Sequence, residues 1–229
     1  MKTRIKVCGL TREADIVAAA RAGVDAVGFV FYSGSKRYVS PTRAAELRRV
    51  VPAFMSVVAL FVNATDDEVS EVQRAVQPEL LQFHGDESPE TCAGYGQRYM
   101  KALRVGGPGL ETASEVDSAV ARYADATACL FDSYTDAYGG SGVRLDRSLL
   151  SGVTQGSFRD AMVLAGGLTP QNVQDAVIDV RPWAVDVSSG VELAAGVKSA
   201  DAIEAFVRAV QGADKVPMRG EKEVIRKII

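Results

Sequence analysis

The chain has 229 residues, 47% hydrophobic and 24% charged, with a net charge of −3. This composition supports a large core without metals or disulfides, and its scattered Lys and Arg argue against nucleic acid as a partner. A single histidine excludes a multi-histidine metal site.

The predicted elements alternate between strands and helices along the whole chain. Arg4–Val7 is the first strand. Thr11–Ala22 follows as a helix, with Ile16, Ala19 and Ala20 on one face and Thr11 as its expected N-cap. Ala26–Phe31 is the second strand, and Ser40-Pro41 opens the second helix, where the missing proline N–H costs nothing. Ser56–Phe61 is the third. The uncharged stretch Val50–Val62 around it contains Pro52 and falls short of the ~20 residues a membrane span needs. Thr65-Asp66-Asp67-Glu68 is a capped, acidic helix start that suits the helix dipole. The remaining strands are Leu80–Phe83, Met100–Val105, Ala128–Phe131, Ala161–Leu164 and Ala184–Val187, with Thr169-Pro170 expected to open the helix between the last two.

Eight strands in strict alternation with helices predict a single-domain (β/α)₈ TIM barrel over residues 1–211, with a polar tail over 212–229. A doubly wound open sheet is the competing architecture. The chain length and the lack of a dinucleotide fingerprint favour the barrel. Three well-separated cysteines with no CxxC pair, behind a start that has no apolar targeting region, lead to the expectation of a reducing, cytoplasmic setting.

Barrel chemistry sits at the C-terminal ends of the strands. Gly166-Gly167 and Ser188-Ser189-Gly190 follow the last two strands, where backbone N–H groups would cradle a phosphate. Cys8 ends the first strand and is either a small buried hydrophobe or a thiolate favoured by Lys6 and nearby helix N-termini. Asp132 follows the apolar run Cys129-Leu130-Phe131. It is either a desolvated proton donor or a cap for the loop Ser133–Gly142. Arg37 is a solvated loop charge or a clasp for a carboxylate. His84 reads as a packing residue, Asp136 and Asp146 as turn and cap residues, and Tyr138–Gly142 as a candidate lid without a nucleotide-loop continuation.

Seven segments, in order, carry a resemblance to a known family. They are Lys6-Val7-Cys8-Gly9-Leu10-Thr11, Ser35-Lys36-Arg37-Tyr38-Val39, Leu81-Gln82-Phe83-His84-Gly85, Leu130-Phe131-Asp132-Ser133-Tyr134, Tyr138-Gly139-Gly140-Ser141-Gly142, Leu164-Ala165-Gly166-Gly167-Leu168 and Val185-Asp186-Val187-Ser188-Ser189-Gly190-Val191-Glu192. Together they resemble phosphoribosylanthranilate isomerases of tryptophan biosynthesis. The resemblance implies an isomerase without cofactor or metal. It would convert N-(5-phosphoribosyl)anthranilate to 1-(2-carboxyphenylamino)-1-deoxyribulose 5-phosphate, as a monomer or homodimer. It further implies Cys8 as general base, Asp132 as general acid and Arg37 on the anthranilate carboxylate. Gly166, Gly167, Ser188, Ser189 and Gly190 would hold the phosphate, and Asp186 the ribose. One departure is Leu145-Asp146-Arg147, where the family often carries an aromatic pair around an aspartate. The alternatives are a histidine-pathway or bifunctional phosphosugar isomerase, which places an aspartate where this chain has Cys8, and a barrel that binds without catalysis.

Overall fold

The computed structural model describes residues 2–135, 144–155 and 160–217. Eight parallel strands, β1 Arg4–Cys8, β2 Ala26–Val30, β3 Ser56–Phe61, β4 Leu80–Phe83, β5 Tyr99–Val105, β6 Ala128–Ser133, β7 Met162–Leu164 and β8 Ala184–Val187, form one closed ring in sequence order. β1 pairs with both β2 and β8, which closes it. The helices are α1 Glu13–Ala22, α2 Pro41–Arg48, α3 Asp66–Val76, α4 Pro89–Gly94, α5 Ala113–Arg122, α6 Ser151–Gln155, α7 Val173–Val180 and α8 Ala200–Asp214. A short antiparallel hairpin, β9 Glu192–Ala194 and β10 Val197–Lys198, leaves the barrel after β8. The fold is the expected single-domain TIM barrel. Several strand ends shift from the predicted bounds: β1 gains Cys8, β5 gains Tyr99, and β6 runs on to Ser133 because Arg104 and Val105 pair with Asp132 and Ser133. Among the described residues no helix is long and apolar enough to cross a membrane.

Local chemistry explains most helix starts. Ser40 accepts the Arg43 N–H ahead of Pro41, and Thr65 with Glu68 forms a reciprocal capping box. Three expectations need correction. Thr11 does not cap α1: its hydroxyl donates instead to the Gly196 carbonyl at 2.6 Å, and Arg12 takes the N-cap position. Thr169-Pro170 begins a turn, and α7 starts only at Val173, because Asn172 ties the turn through Thr169 N–H and the Gly167 carbonyl. Finally, α8 continues to Asp214, so the boundary expected after Gln211 falls inside a helix. The buried stripe Phe206, Val207, Val210, Ala213 keeps helical spacing across that point, and Asp214 accepts both the N–H and the hydroxyl of Thr3. Residues 218–229, Asp136 and the Tyr138–Gly142 segment lie outside the described residues.

Strand alternation sorts side chains onto two faces, one packed under the helices and one inside the barrel. Phe29, Phe61, Phe83 and Phe131 are buried in the larger core, and rings from Phe31 through Phe61 and Phe83 to Tyr95 stack at 5.5–6.0 Å. Val58, Met100, Ala102, Leu130 and Val163 form one separate cluster, and Cys8, Val30, Leu60 and Val62 form another nearer the C-terminal mouth. Filling the barrel this way leaves its polar inward positions at the mouth.

Candidate active site

Lys6 and Cys8 occupy alternate positions on β1 and project inward. Cys8 is 5% exposed and lies opposite Gly28 in register. Lys6 stands opposite Asp186 of β8, with Nζ 2.9 Å from Oδ1 and both side chains buried. Burial pushes the Cys8 thiol above its ordinary value. Lys6 pulls it back, Asp186 adds to the rise, and Lys198 opposes it, but burial prevails. Burial thus favours the thiol form, the opposite direction to the pull of Lys6 that the sequence reading emphasised. Burial alone would depress the Lys6 ammonium, yet Asp186 and Cys8 together outweigh it and hold Lys6 above its usual range.

Asp132 projects inward from β6, its side chain 15% exposed. Its Oδ1 accepts the Ser133 N–H at 2.9 Å, and its Oδ2 lies 3.4 Å from His84 Nε2, too poorly aligned for a hydrogen bond. Gln82, fully buried two residues back on β4, places its side-chain amide 3.0 Å from His84 Nδ1, which orients the ring so that Nε2 faces Asp132. His84 is thus buried and hydrogen-bonded as expected, but it also faces the carboxylate proposed as acid. Two residues to which the sequence reading attached no role, Gln82 and Arg104, complete this wall. Arg104 lies opposite Asp132 in register, its guanidinium 5.5 Å over the Tyr134 ring and 3.4 Å from Asp86.

Around the ring, β7 and β8 separate β6 from β1, so the exits carrying the glycine and serine clusters lie between Asp132 and Cys8. Gly166 and Gly167 take φ of +81° and +62°, a left-handed turn that a side chain would strain. A Cβ on Gly166 would also sit 2.8 Å from the Ser133 N. Ser189–Val191 forms a single 3₁₀ turn, and the Ser188 hydroxyl donates to the Cys8 carbonyl at 3.1 Å, joining the β8 exit to the β1 exit.

Arg37 crosses directly over the β1 exit, where a Cβ on Gly9 would fall 2.5 Å from its Cδ. Its fork grips Glu192, Nε to Oε1 at 2.8 Å and Nη2 to Oε2 at 2.7 Å. Lys198 Nζ also reaches Glu192 Oε1, at 2.7 Å, and the Ser188 carbonyl at 3.0 Å. Burial opposes charge on Glu192, but hydrogen bonds from Arg37 and Lys198 hold its carboxyl below the usual range. For Lys198 burial wins, and its ammonium is depressed despite Glu192. The loop cation of the sequence reading is therefore a half-committed fork, oriented by a carboxylate on the hairpin. Glu192 stood at the end of a recognised segment with no role attached. Lys198 had no signal at all, since a two-residue strand is invisible to periodicity.

Residues 5–209 match the family model for N-(5'-phosphoribosyl)anthranilate (PRA) isomerase. The chain belongs to that family. It is 59% identical over 216 residues to the N-(5'-phosphoribosyl)anthranilate isomerase of Bordetella parapertussis, covering 94% of this chain and 99% of the relative. The barrel is similar to the crystal structure of phosphoribosyl anthranilate isomerase from Thermotoga maritima, with a TM-score of 0.80 and 38% identity over 92% of this chain and 99% of that one. It is also similar, with a TM-score of 0.77 and 35% identity over the same shares of each chain, to a phosphoribosyl anthranilate isomerase in complex with reduced 1-(o-carboxyphenylamino)-1-deoxyribulose 5-phosphate. The chain is accordingly a PRA isomerase of tryptophan biosynthesis, acting on a phosphorylated small molecule.

Proposed function

We propose that Cys8 and Asp132 carry out the isomerisation as a base and acid on one sugar. Asp132 delivers a proton to the ribose ring oxygen as the C1′–O bond breaks, and the anilino nitrogen lone pair forms the iminium. Cys8, as thiolate, takes the C2′ proton, and those electrons neutralise the iminium to give the enolamine. Tautomerisation, with a proton added at C1′ and the O2′ proton lost, yields the 1-amino-1-deoxyketose. No redox partner is needed. The observation that carries this reading is the ring order, in which an inward thiol and an inward carboxylate flank the two strand exits suited to phosphate.

Gly166, Gly167, Ser188, Ser189 and Gly190 hold the phosphate through backbone N–H groups and the serine hydroxyls. Arg37 keeps its Nη1 edge for the anthranilate carboxylate while Glu192 fixes the rest of its fork. Asp186 contacts the ribose, and no cofactor or metal takes part. Clamping both anionic ends places the sugar between base and acid. The chain works in the cytoplasm, a reading supported by its biosynthetic family and unpaired cysteines. It is a monomer or homodimer, which sedimentation velocity separates.

The test is turnover of freshly prepared substrate, followed by anthranilate fluorescence, in Cys8→Ala and Asp132→Asn. Each substitution lowers kcat by about 10²–10⁴ with a smaller change in KM. Near-normal kcat in either variant removes that residue from its role.

A further inference from the structure

We infer that Lys6 is a positioning residue that sets the ionisation of Cys8, with Asp186 as a counter-charge that limits it; this builds on the reading of Cys8 as the base. Lys6 and Cys8 share the inner face of β1, and the parallel register brings Asp186 opposite Lys6 with 2.9 Å between Nζ and Oδ1. Gly28 supplies the room. A Cβ there would lie 2.8 Å from Cys8 Sγ and 3.2 Å from Lys6 Cε, so the sulfur and the lysine stem converge on one groove that only glycine leaves open.

The charges around this groove do not balance. Lys6 from β1, Arg37 from the loop after β2 and Lys198 from β10 face the sulfur as cations. Asp186 from β8 faces it as an anion, and Glu192 from β9 pairs with both Arg37 and Lys198. Three cations thus meet two carboxylates in a buried cluster. That surplus of positive charge opposes the burial penalty on a third anion, and Cys8 is the side chain placed to supply one when it ionises. A buried ion pair is often no more stabilising than apolar residues of the same shape, so Lys6 and Asp186 point to a task beyond stability. Arg37 and Lys198 are oriented by Glu192, whereas Lys6 shares both the inner face of β1 and the Gly28 groove with the sulfur.

The assignment makes two opposite demands. Removing the Lys6 charge makes the thiol a weaker acid. Removing the Asp186 charge frees the full field of Lys6 and makes it a stronger one. An opposite charge at such range is typically worth about 1–3 pKa units.

The experiment is a thiolate absorbance titration of the unliganded full chain, each variant referenced to the same variant carrying Cys8→Ser. Lys6→Met moves the Cys8 midpoint up by about one unit or more, a loss of about tenfold or more in thiolate at fixed pH. Asp186→Asn moves it down, and Lys6→Arg stays near the parent. Midpoints that move together, or do not move, overturn the inference. If Lys6→Met fails to fold by circular dichroism, Asp186→Asn decides alone: an unchanged or raised midpoint overturns it. The titration needs no substrate, so it stands or falls separately from the base assignment, which Cys8→Ala turnover tests. In turnover, Lys6→Met shifts the alkaline rise of kcat upward while KM changes less, a split that loss of packing alone would not produce.

Discussion

Lys101→Met tests the support beneath the His84 wall. Lys101 lies on β5 with its ammonium buried between the strands and the α5 end, bonded to the Gly85 carbonyl at 2.7 Å and Glu87 Oε2 at 2.8 Å, and 5.5 Å from the Tyr123 ring centre. Glu87 in turn accepts N–H groups from Asn63 at 2.7 Å and Gly85 at 3.0 Å. The network therefore clamps the residue after His84 and the β3 exit together. Methionine matches the stem but strands a carboxylate that is only 5% exposed. Breaking one partner of a buried pair costs about 3–5 kcal/mol, and the two remaining N–H donors place this site at the lower end, about 3 kcal/mol. At about 2–4 °C per kcal/mol for a chain of this size, Tm falls by about 6–12 °C. Urea unfolding at neutral pH measures the loss directly. Adding Glu87→Gln removes the stranded charge while keeping an acceptor for both N–H groups, so the double variant regains at least half of it. A loss below about 1 kcal/mol in the single variant, or no recovery in the double, refutes the claim that an uncompensated buried charge dominates.

Two further outcomes follow from the site. Because the Glu192 carboxyl is held below its unfolded value, its contribution to stability is complete above about pH 4.3 and disappears as pH falls through the folded value. Glu192→Gln is thus less stable than the parent at neutral pH, and chemical unfolding curves of the two converge in acid. A gap that stays constant down to acid pH would show that the pairing with Arg37 and Lys198 is not electrostatic. Gly190→Ala places a Cβ 1.9 Å from the Leu168 carbonyl oxygen, a backbone collision that must open the contact between the β7 and β8 exits. KM for substrate rises about tenfold or more while kcat changes less, as expected if this contact shapes the phosphate cradle. Unchanged steady-state constants would separate the cradle from this turn.

Much of this protein was legible from local patterns. Alternating strands and helices, Ser40-Pro41 and the Thr65–Glu68 box depend on side chains within a few residues, and each appears in the structure. Glycines at the β7 exit and the reactive groups closing β1 and β6 were readable for the same reason, since strand parity alone decides which residues face the mouth. Other features depended on partners more than 150 residues away. Lys6 meets Asp186, Arg37 meets Glu192, and Thr11 leaves its capping role for Gly196, all because closing the ring brings the last strand and its hairpin onto the first. The state of Cys8 belongs with these. Its position at a strand end is a property of sequence, but whether it rests as thiol or thiolate depends on burial and on charges that only the closed barrel assembles.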